Sequence, residues 1–101
     1  MATTSKALFR GAATTTLTTT LYTVPAATTA VVTEIAVANT TGTAGTFTIT
    51  LDGVAIAPAV AISGNDTTVI PLKQVLGATK VITGGASAAT INFHISGVEI
   101  V

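Results

Sequence analysis

The clearest structural pattern in this chain is Thr46-Phe-Thr-Ile-Thr-Leu-Asp-Gly-Val-Ala-Ile56. From position 46 to 51 apolar residues alternate with threonine, a period of two that places the two sets on opposite faces of a β-strand. Asp52-Gly53 then favours the positive φ angles of a two-residue type I′ turn. Val54 therefore begins a second, antiparallel strand, and Pro58 limits its length or places it at the edge of a sheet. The pattern predicts a β-hairpin.

The same alternation appears in segments on both sides of this hairpin. Residues typical of turns separate them, as in 39–45 and 63–66, and Gly84-Gly85 closes one of the strands. No segment keeps a helical period over the 10–12 residues that a helix requires. Only residues 72–76 are expected to form a single helical turn. The remaining predicted strands are 17–24, 29–39, 67–72, 80–83 and 89–96, with 98–101 continuing the last.

Two of these strands also predict which residues point inward. In the strand 29–39, positions 31, 33, 35 and 37 share one face, and positions 32, 34, 36 and 38 share the other. In the last strand, Ile91, Phe93 and Ile95 are expected to face the core, with His94 on the outer face. Gly97 marks a bulge or a bend.

About eight short strands at regular spacing predict an all-β fold, a single antiparallel β-sandwich or jelly roll. We assign residues 17–101 to this domain and residues 1–16 to an extended N-terminal arm. The low-complexity tract Gly11-Ala-Ala-Thr-Thr-Thr-Leu-Thr-Thr-Thr20 leaves two interpretations open. It is a mobile linker, or it is an arm or edge strand that becomes ordered on a neighbouring chain.

The composition predicts that other protein chains cover much of the surface. Apolar residues make up 49% of the chain and charged residues only 8%, whereas about 25% is usual for a soluble domain. A monomer with so few charges is prone to self-association. We therefore expect the chain to work inside an assembly.

Charge and hydropathy argue against two other classes of partner. Four basic and four acidic residues give a net charge of zero, so there is no basic face for nucleic acid. The longest apolar run, residues 54–62, contains Pro58 and is far shorter than the roughly 20 residues of a membrane-spanning helix. Neither a nucleic acid nor a membrane is expected as a partner.

No set of side chains points to catalysis, to a cofactor or to a metal ion. His94 is the only histidine and the chain has no cysteine, so the usual metal-ligand sets are incomplete. Asp52 and Asp66 lie in predicted turns, where aspartate commonly bonds to the local backbone. We therefore predict that the chain is not an enzyme.

The charges near the N-terminus are the best candidates for a contact with a partner. Lys6 and Arg10 flank the apolar pair Leu8-Phe9. If this segment lies on another protein, the two cations can pair with acidic groups there and set its orientation. Lys6, Leu8, Phe9 and Arg10 are thus the predicted interface residues.

Four short motifs carry a resemblance to a known group of proteins. They are residues 21–25 (Leu-Tyr-Thr-Val-Pro), 31–39 (Val-Val-Thr-Glu-Ile-Ala-Val-Ala-Asn), 72–76 (Leu-Lys-Gln-Val-Leu) and 92–100 (Asn-Phe-His-Ile-Ser-Gly-Val-Glu-Ile). With these the chain resembles small β-sandwich virion proteins of tailed bacteriophages, over most of its length from Lys6. The resemblance implies a late structural protein, made in the host cytoplasm and placed in the virion, that decorates the capsid or belongs to the tail.

The resemblance also implies the partners. Such proteins are often trimers that bridge capsomers at symmetry axes of the shell, so the major capsid protein and copies of the chain itself are expected. The leading hypothesis is a capsid decoration (cement) protein that stabilises the head. The alternative is a tail- or fibre-associated module that binds the host surface, for example its glycans. That alternative calls for aromatic side chains at loop tips, and Tyr22 is the only aromatic residue besides three phenylalanines.

Overall fold

The computed structural model describes residues 2–101, which form eight β-strands and, within that range, no helix. Every pair of neighbouring strands is antiparallel. The predicted all-β class is thus confirmed. The strands are β1 (Thr3–Ala12), β2 (Thr19–Thr23), β3 (Thr29–Asn39), β4 (Gly45–Leu51), β5 (Val54–Ile62), β6 (Thr67–Leu76), β7 (Val81–Ala86) and β8 (Ile91–Ile100).

The strands form two four-stranded sheets packed face to face. The first sheet has the order β1-β8-β3-β6 and the second has the order β2-β7-β4-β5. Successive strands mostly switch from one sheet to the other, which is the arrangement of an eight-stranded jelly roll. Strands β1 and β2 lie at one side of the sandwich, and β5 and β6 lie at the opposite side.

The core lies between the sheets and is built mainly from β-branched side chains and two phenylalanines. Phe47 of β4 and Phe93 of β8 are both fully buried, and their rings meet edge to face with centroids 6.2 Å apart. Aromatic pairs prefer this geometry because the positive ring edge meets the negative ring face. Ile49, Ile91 and Ile95 are also buried, so the inward faces predicted for β4 and β8 are confirmed.

The hairpin predicted at Asp52-Gly53 is present. Asp52 has a φ of 53° and Gly53 a φ of 76°, which are the left-handed angles that a type I′ turn needs at both central positions. Leu51 pairs with Val54 across the turn. Pro58 lies in β5, which is an edge strand, as the missing N–H predicts.

The expected N-terminal arm is wrong for residues 3–12, while residue 1 lies outside the described residues. These ten residues are strand β1, which pairs with β8 from Thr3 opposite Ile100 to Ala12 opposite Asn92. The sandwich therefore begins at residue 3 and not at residue 17. The physical reason is that β8 would otherwise be an unpaired edge strand, so that its backbone groups would lack their ladder partners.

The alternation predicted for β3 is present on both sides of a bulge, but the bulge exchanges the inward and outward positions. Val32 pairs with Gly97 and Glu34 with Ser96, so Thr33 is an extra residue in β3. A bulge reverses which residues point inward, and Val32 and Ile35 are accordingly both buried. Leu8 is the extra residue of β1, one residue further along β8, between the pairs Ala7–Ser96 and Phe9–Ile95.

Gly97 lies beside both bulges, and both neighbouring strands approach it closely. A Cβ atom at this position would lie 2.4 Å from the carbonyl oxygen of Val31 and 2.8 Å from Cδ1 of Leu8. The missing side chain thus leaves space for both neighbouring strands. The irregularity predicted at Gly97 lies in the strands beside it.

Two further sequence predictions are wrong in detail. Residues 72–76 do not form a helical turn, because they continue β6 in its pairing with β3 as far as Leu76. Gly84 and Gly85 do not close a strand but lie inside β7. They are needed there because backbone approaches them: a Cβ would lie 2.5 Å from the Thr48 oxygen at Gly84 and 2.3 Å from the Thr16 oxygen at Gly85.

Candidate interaction surface

The most unusual surface of the molecule runs along the two edge strands β5 and β6. Val54 is 69% exposed, Val75 66% and Val69 53%, although valine is normally a core residue. Of the other apolar residues along these strands, Ala57, Ile62 and Leu76 are buried and the rest are half-buried or exposed. We call this surface the β5–β6 face and define it by Val54, Ala55, Ile56, Pro58, Ala59, Val69, Pro71, Leu72 and Val75. It extends around the edge of the sandwich, because Val69 and Pro71 lie on the outer side of the first sheet and Ala55 lies on the outer side of the second.

Three charged residues lie on or beside this face: Asp66, Lys73 and the exposed Glu34 of β3, which pairs with Pro71. Between residues 53 and 72 the only charged residue is Asp66, and Lys73 follows in β6. Neither of the two forms an ion pair with another residue in 2–101. The carboxylate of Asp66 accepts a hydrogen bond from the Thr67 amide at 2.9 Å. The centre of a protein–protein contact is depleted of charge in the same way.

Two shallow hollows lie along the face. The larger, of about 390 Å³, is lined by Thr33, Pro71, Leu72 and Lys73, where β6 passes the bulge of β3. The smaller, of about 180 Å³, lies between β5 and β6 and is lined by Leu51, Val54, Ala55, Ile56 and Gln74. Both hollows are open and mainly apolar, so a partner's aliphatic side chains fit them better than a polar ligand does.

The backbone of both edge strands resists pairing with a further strand. Pro58 in β5 and Pro71 in β6 have no N–H to donate. The register of β5 against β4 shifts twice, and Ala59 has a φ of 45°. The amide of Ala59 donates to Oγ1 of Thr48 at 3.1 Å. Prolines and bulges are common protections of edge strands, so this face is suited to contacts through side chains and not to sheet extension.

The predicted N-terminal interface residues divide into buried and exposed ones. Leu8 is only 7% exposed and belongs to the core, and Phe9 packs against the core. Leu8 is therefore wrong as a partner contact, because the bulge turns its side chain inward. Lys6 and Arg10 are exposed, and both are bonded within the sandwich.

Lys6 takes part in a network that joins the two sheets. Its Nζ lies 3.4 Å from Oε1 of Glu99 on β8, and the hydroxyl of Tyr22 on β2 donates to Oε2 of the same carboxylate. The Tyr22 hydrogen bond, helped by the charge of Lys6, lowers the pKa of Glu99. Partial burial, followed by this contact, raises the pKa of Tyr22. Tyr22 is half-buried in a strand and engaged, so it does not form the exposed loop-tip platform that sugar stacking needs.

Arg10 makes the second contact between β1 and β8. Its Nε donates to Nδ1 of His94 at 3.2 Å. This hydrogen bond needs a lone pair on Nδ1, so it selects the His94 form that carries no proton on that nitrogen. His94 is on the outer face of the first sheet, as its position in the alternation predicts.

Residues 2–101 contain no group of three side chains placed to hold a metal ion. Within the same range, no helix is long and apolar enough to cross a membrane.

Sequence analysis missed most of the β5–β6 face. Only the edge position of Pro58 was predicted. The available signal was a second strand with a central proline, Pro71, next to a nearly uncharged segment.

Comparisons with known proteins give little further guidance. No family model matches the chain, and no curated protein matches it. One solved structure that it resembles is the C-terminal CBM6 of LamC, a marine laminarinase from Zobellia galactanivorans. That likeness has a TM-score of 0.37 at 12% identity over 96% of this chain and 98% of the other. Because the likeness is so low, we draw nothing from it about the role of this chain.

Proposed function

We propose that the chain is a structural, non-catalytic protein of a bacteriophage virion, and specifically a capsid decoration protein. The observation that carries the proposal is the β5–β6 face, a mainly apolar exposed surface on an otherwise well-packed sandwich. Such a surface is unfavourable on a lone molecule in water and favourable between protein subunits. The resemblance to virion proteins of tailed phages indicates that this assembly is a virion.

The mechanism we propose needs only surface burial repeated over a shell. Each molecule contacts the major capsid protein and other copies of itself, and many modest contacts together hold neighbouring capsomers against separation. Symmetry multiplies every such contact by the number of equivalent sites. The jelly roll supports this role because both ends of the described chain are held in paired strands, β1 and β8.

We propose that the side formed by β1 contacts the capsid protein through its exposed cations, Lys6 and Arg10. Arg10 is the better candidate, since Lys6 is already engaged by a carboxylate. The bond from Arg10 goes to a neutral ring nitrogen, so its charge stays available to an acidic group of a partner.

Co-sedimentation with phage particles tests this function. Purified chain is mixed with expanded, DNA-free heads of the encoding phage and, separately, with isolated tails. We expect saturable binding to heads, weakened by Arg10→Glu and not by the control Thr43→Glu, which places a carboxylate in the exposed loop between β3 and β4, next to the β5–β6 turn and away from β1. Binding to tails alone supports the tail-associated alternative, and binding to neither contradicts both.

Deletion of residues 1–10 is not a suitable test of the contact. It removes most of β1 and exposes the edge of β8, so a loss of binding would follow from damage to the sandwich. Point substitutions of exposed side chains avoid this ambiguity.

A further inference from the structure

We propose that the edge of β8 is a binding site for an extended protein strand. In this structure β1 fills the site, and a strand of the same pattern from a neighbouring protein can take its place. The occupant is an extended segment with a cation, an aliphatic residue and a second cation in the order of Lys6, Leu8 and Arg10. The site lies on the opposite side of the sandwich from the β5–β6 face and does not rest on the proposed role in a virion.

Few side chains hold β1 on the sandwich. Of its ten residues only Leu8 is buried, and Phe9 and Gly11 are half-buried. By contrast β3, which flanks β8 on its other side, has five buried residues among its eleven. The free energy of local opening is low where few buried apolar contacts are made. β1 therefore opens from β8 at a lower free-energy cost than β3 does.

The two polar side-chain contacts of β1 with β8 lie at the surface. Nζ of Lys6 is 3.4 Å from Oε1 of Glu99, and the lysine side chain is 43% exposed. Nε of Arg10 donates to Nδ1 of His94 at 3.2 Å, also on the exposed side. Exposed contacts of this kind add little stability, but their positions favour one register over others.

Backbone pairing is the main contact that β1 supplies to β8. It runs from Thr3 opposite Ile100 to Ala12 opposite Asn92. In strand addition, main-chain hydrogen bonds give affinity, and pockets for particular side chains give specificity. Exchange of β1 for a similar strand re-forms in trans the contacts that are broken in cis, so the exchange costs little free energy.

The pocket of this site is the space over Gly97. A Cβ atom at Gly97 would lie 2.8 Å from Cδ1 and 3.3 Å from Cγ of Leu8. Leu8 therefore occupies the volume that a side chain at position 97 would take. It is also the extra residue of the β1 bulge. The site accordingly selects an aliphatic side chain at a bulged position, and the cations on either side of it fix the register.

The chain is anchored again directly after β1. Ala13 is buried and its amide donates to the carbonyl oxygen of Ile91 at 2.8 Å. The amide of Ala86 donates to the carbonyl oxygen of Thr14 at 2.9 Å. Opening of β1 therefore stops at this anchor, and the other seven strands keep their pairing.

Disulfide trapping of a synthetic peptide of residues 2–12 on the full chain tests the proposal. Ala7 lies directly opposite Ser96, and such facing Cα atoms are about 4.5–5.5 Å apart, which a disulfide can bridge. The chain has no cysteine of its own, so the peptide carries Ala7→Cys and the chain carries Ser96→Cys. We expect the mixed disulfide to form in a glutathione redox buffer with the peptide at about 1 mM, because the tethered β1 competes at an effective concentration of this order.

Two altered peptides are the controls for register and for the pocket. A peptide with Ala12→Cys in place of Ala7→Cys should be trapped at least about tenfold more slowly, because Ala12 faces Asn92, roughly 13 Å along β8 from position 96. Adding Leu8→Ala to the first peptide should slow trapping about tenfold, because the space over Gly97 is then left unfilled.

A full chain with both Ala7→Cys and Ser96→Cys shows whether β1 must leave. Its disulfide forms in cis and locks β1 onto β8. A fluorescein-labelled peptide of residues 2–12 without cysteine should bind the oxidised chain at least about tenfold more weakly than the reduced chain, by fluorescence anisotropy.

Hydrogen exchange of the unmodified chain, followed by NMR, measures the opening without any substitution. We expect the amides of β1 that bond to β8 to exchange at least about tenfold faster than the amides of β3 that bond to β8.

Four results would each overturn the proposal. They are trapping no faster than with the Ala12→Cys peptide, no effect of Leu8→Ala in the peptide, equal binding to the locked and reduced chains, and equal exchange from β1 and β3. The experiments contain no phage particle, so their failure leaves the proposed function untouched. A chain that accepts the peptide but binds no heads would instead contradict the proposed function and leave this site standing.

Discussion

Leu8→Ala tests whether the N-terminal segment belongs to the sandwich. In a separate arm, truncation of Leu8 would leave the free energy of unfolding unchanged. In the structure, Leu8 is 7% exposed, lies among the core residues, and occupies the space over Gly97 left by the missing side chain. Replacing a buried leucine by alanine removes transfer free energy and leaves a cavity, which typically costs 2–5 kcal/mol.

We expect a loss near the lower end of that range, about 2–3 kcal/mol, because Leu8 lies on an edge strand where the neighbours can partly close the cavity. For a domain of this size each kcal/mol shifts the midpoint by roughly 4–8 °C, so Tm should fall by about 10–20 °C. Urea and thermal unfolding followed by circular dichroism measure both quantities.

The matched control is Ser5→Ala on the same strand, since Ser5 is exposed and should change the free energy of unfolding by less than about 0.5 kcal/mol. Equal, small effects of the two substitutions would refute the assignment of residues 3–12 to the fold. They would return the segment to the arm expected from its composition.

Three other predictions follow from named contacts. Gly84→Ala should destabilise the fold by about 2–4 kcal/mol in urea unfolding, because its Cβ would lie 2.5 Å from the Thr48 oxygen; a loss below about 0.5 kcal/mol would contradict this close approach. Because the pKa of Glu99 is lowered in the folded state, the folded chain binds fewer protons than the unfolded chain in the acid range. Glu99 therefore stabilises the fold above pH 4.5, the ordinary pKa of a glutamate. This contribution is lost as the pH falls through the pKa of Glu99 in the folded state. Tyr22→Phe removes the main cause of that shift and should flatten the slope of stability against pH in this acid range, and an unchanged slope would refute the role of the Tyr22–Glu99 bond. Arg10→Ala removes the Nε–H that donates to Nδ1 of His94, so the chemical shift of that ring nitrogen should change in NMR spectra, and an unchanged shift would exclude the contact.

The parts of the fold that are set by residues adjacent in the sequence were predictable. The Asp52-Gly53 turn is local, and its angles follow from two residues. The inward faces of β4 and β8 follow from alternation alone, because the extra residues of the bulges lie in the neighbouring strands β1, β3 and β5 and not in β4 or β8.

The parts that depend on distant strands were not predictable. Whether residues 3–12 are an arm or a strand is decided by β8, at the other end of the chain. The bulge at Thr33, beside Gly97 of β8, reverses the alternation of β3, and nothing in residues 29–39 indicates it. Gly84 and Gly85 appeared to end a strand because glycine is common in turns, whereas close backbone approach is their reason.

The candidate surface, like the fold, was predictable only where it depends on local sequence. Low charge predicted that some surface is covered, and Pro58 predicted an edge strand. Only the order of strands in the two sheets brings β5 and β6 to one side of the sandwich. The N-terminal residues were chosen for their charges and apolar neighbours, and the fold turns Leu8 inward and leaves Arg10 outside.

Electron cryomicroscopy of the assembled phage particle tests most directly whether the charge-poor β5–β6 face is a buried contact of a virion protein. We predict density for this jelly roll on the outside of the head, with Val54, Val69 and Val75 covered by protein. A particle whose head lacks this chain, or carries it with those three valines facing solvent, would contradict the account.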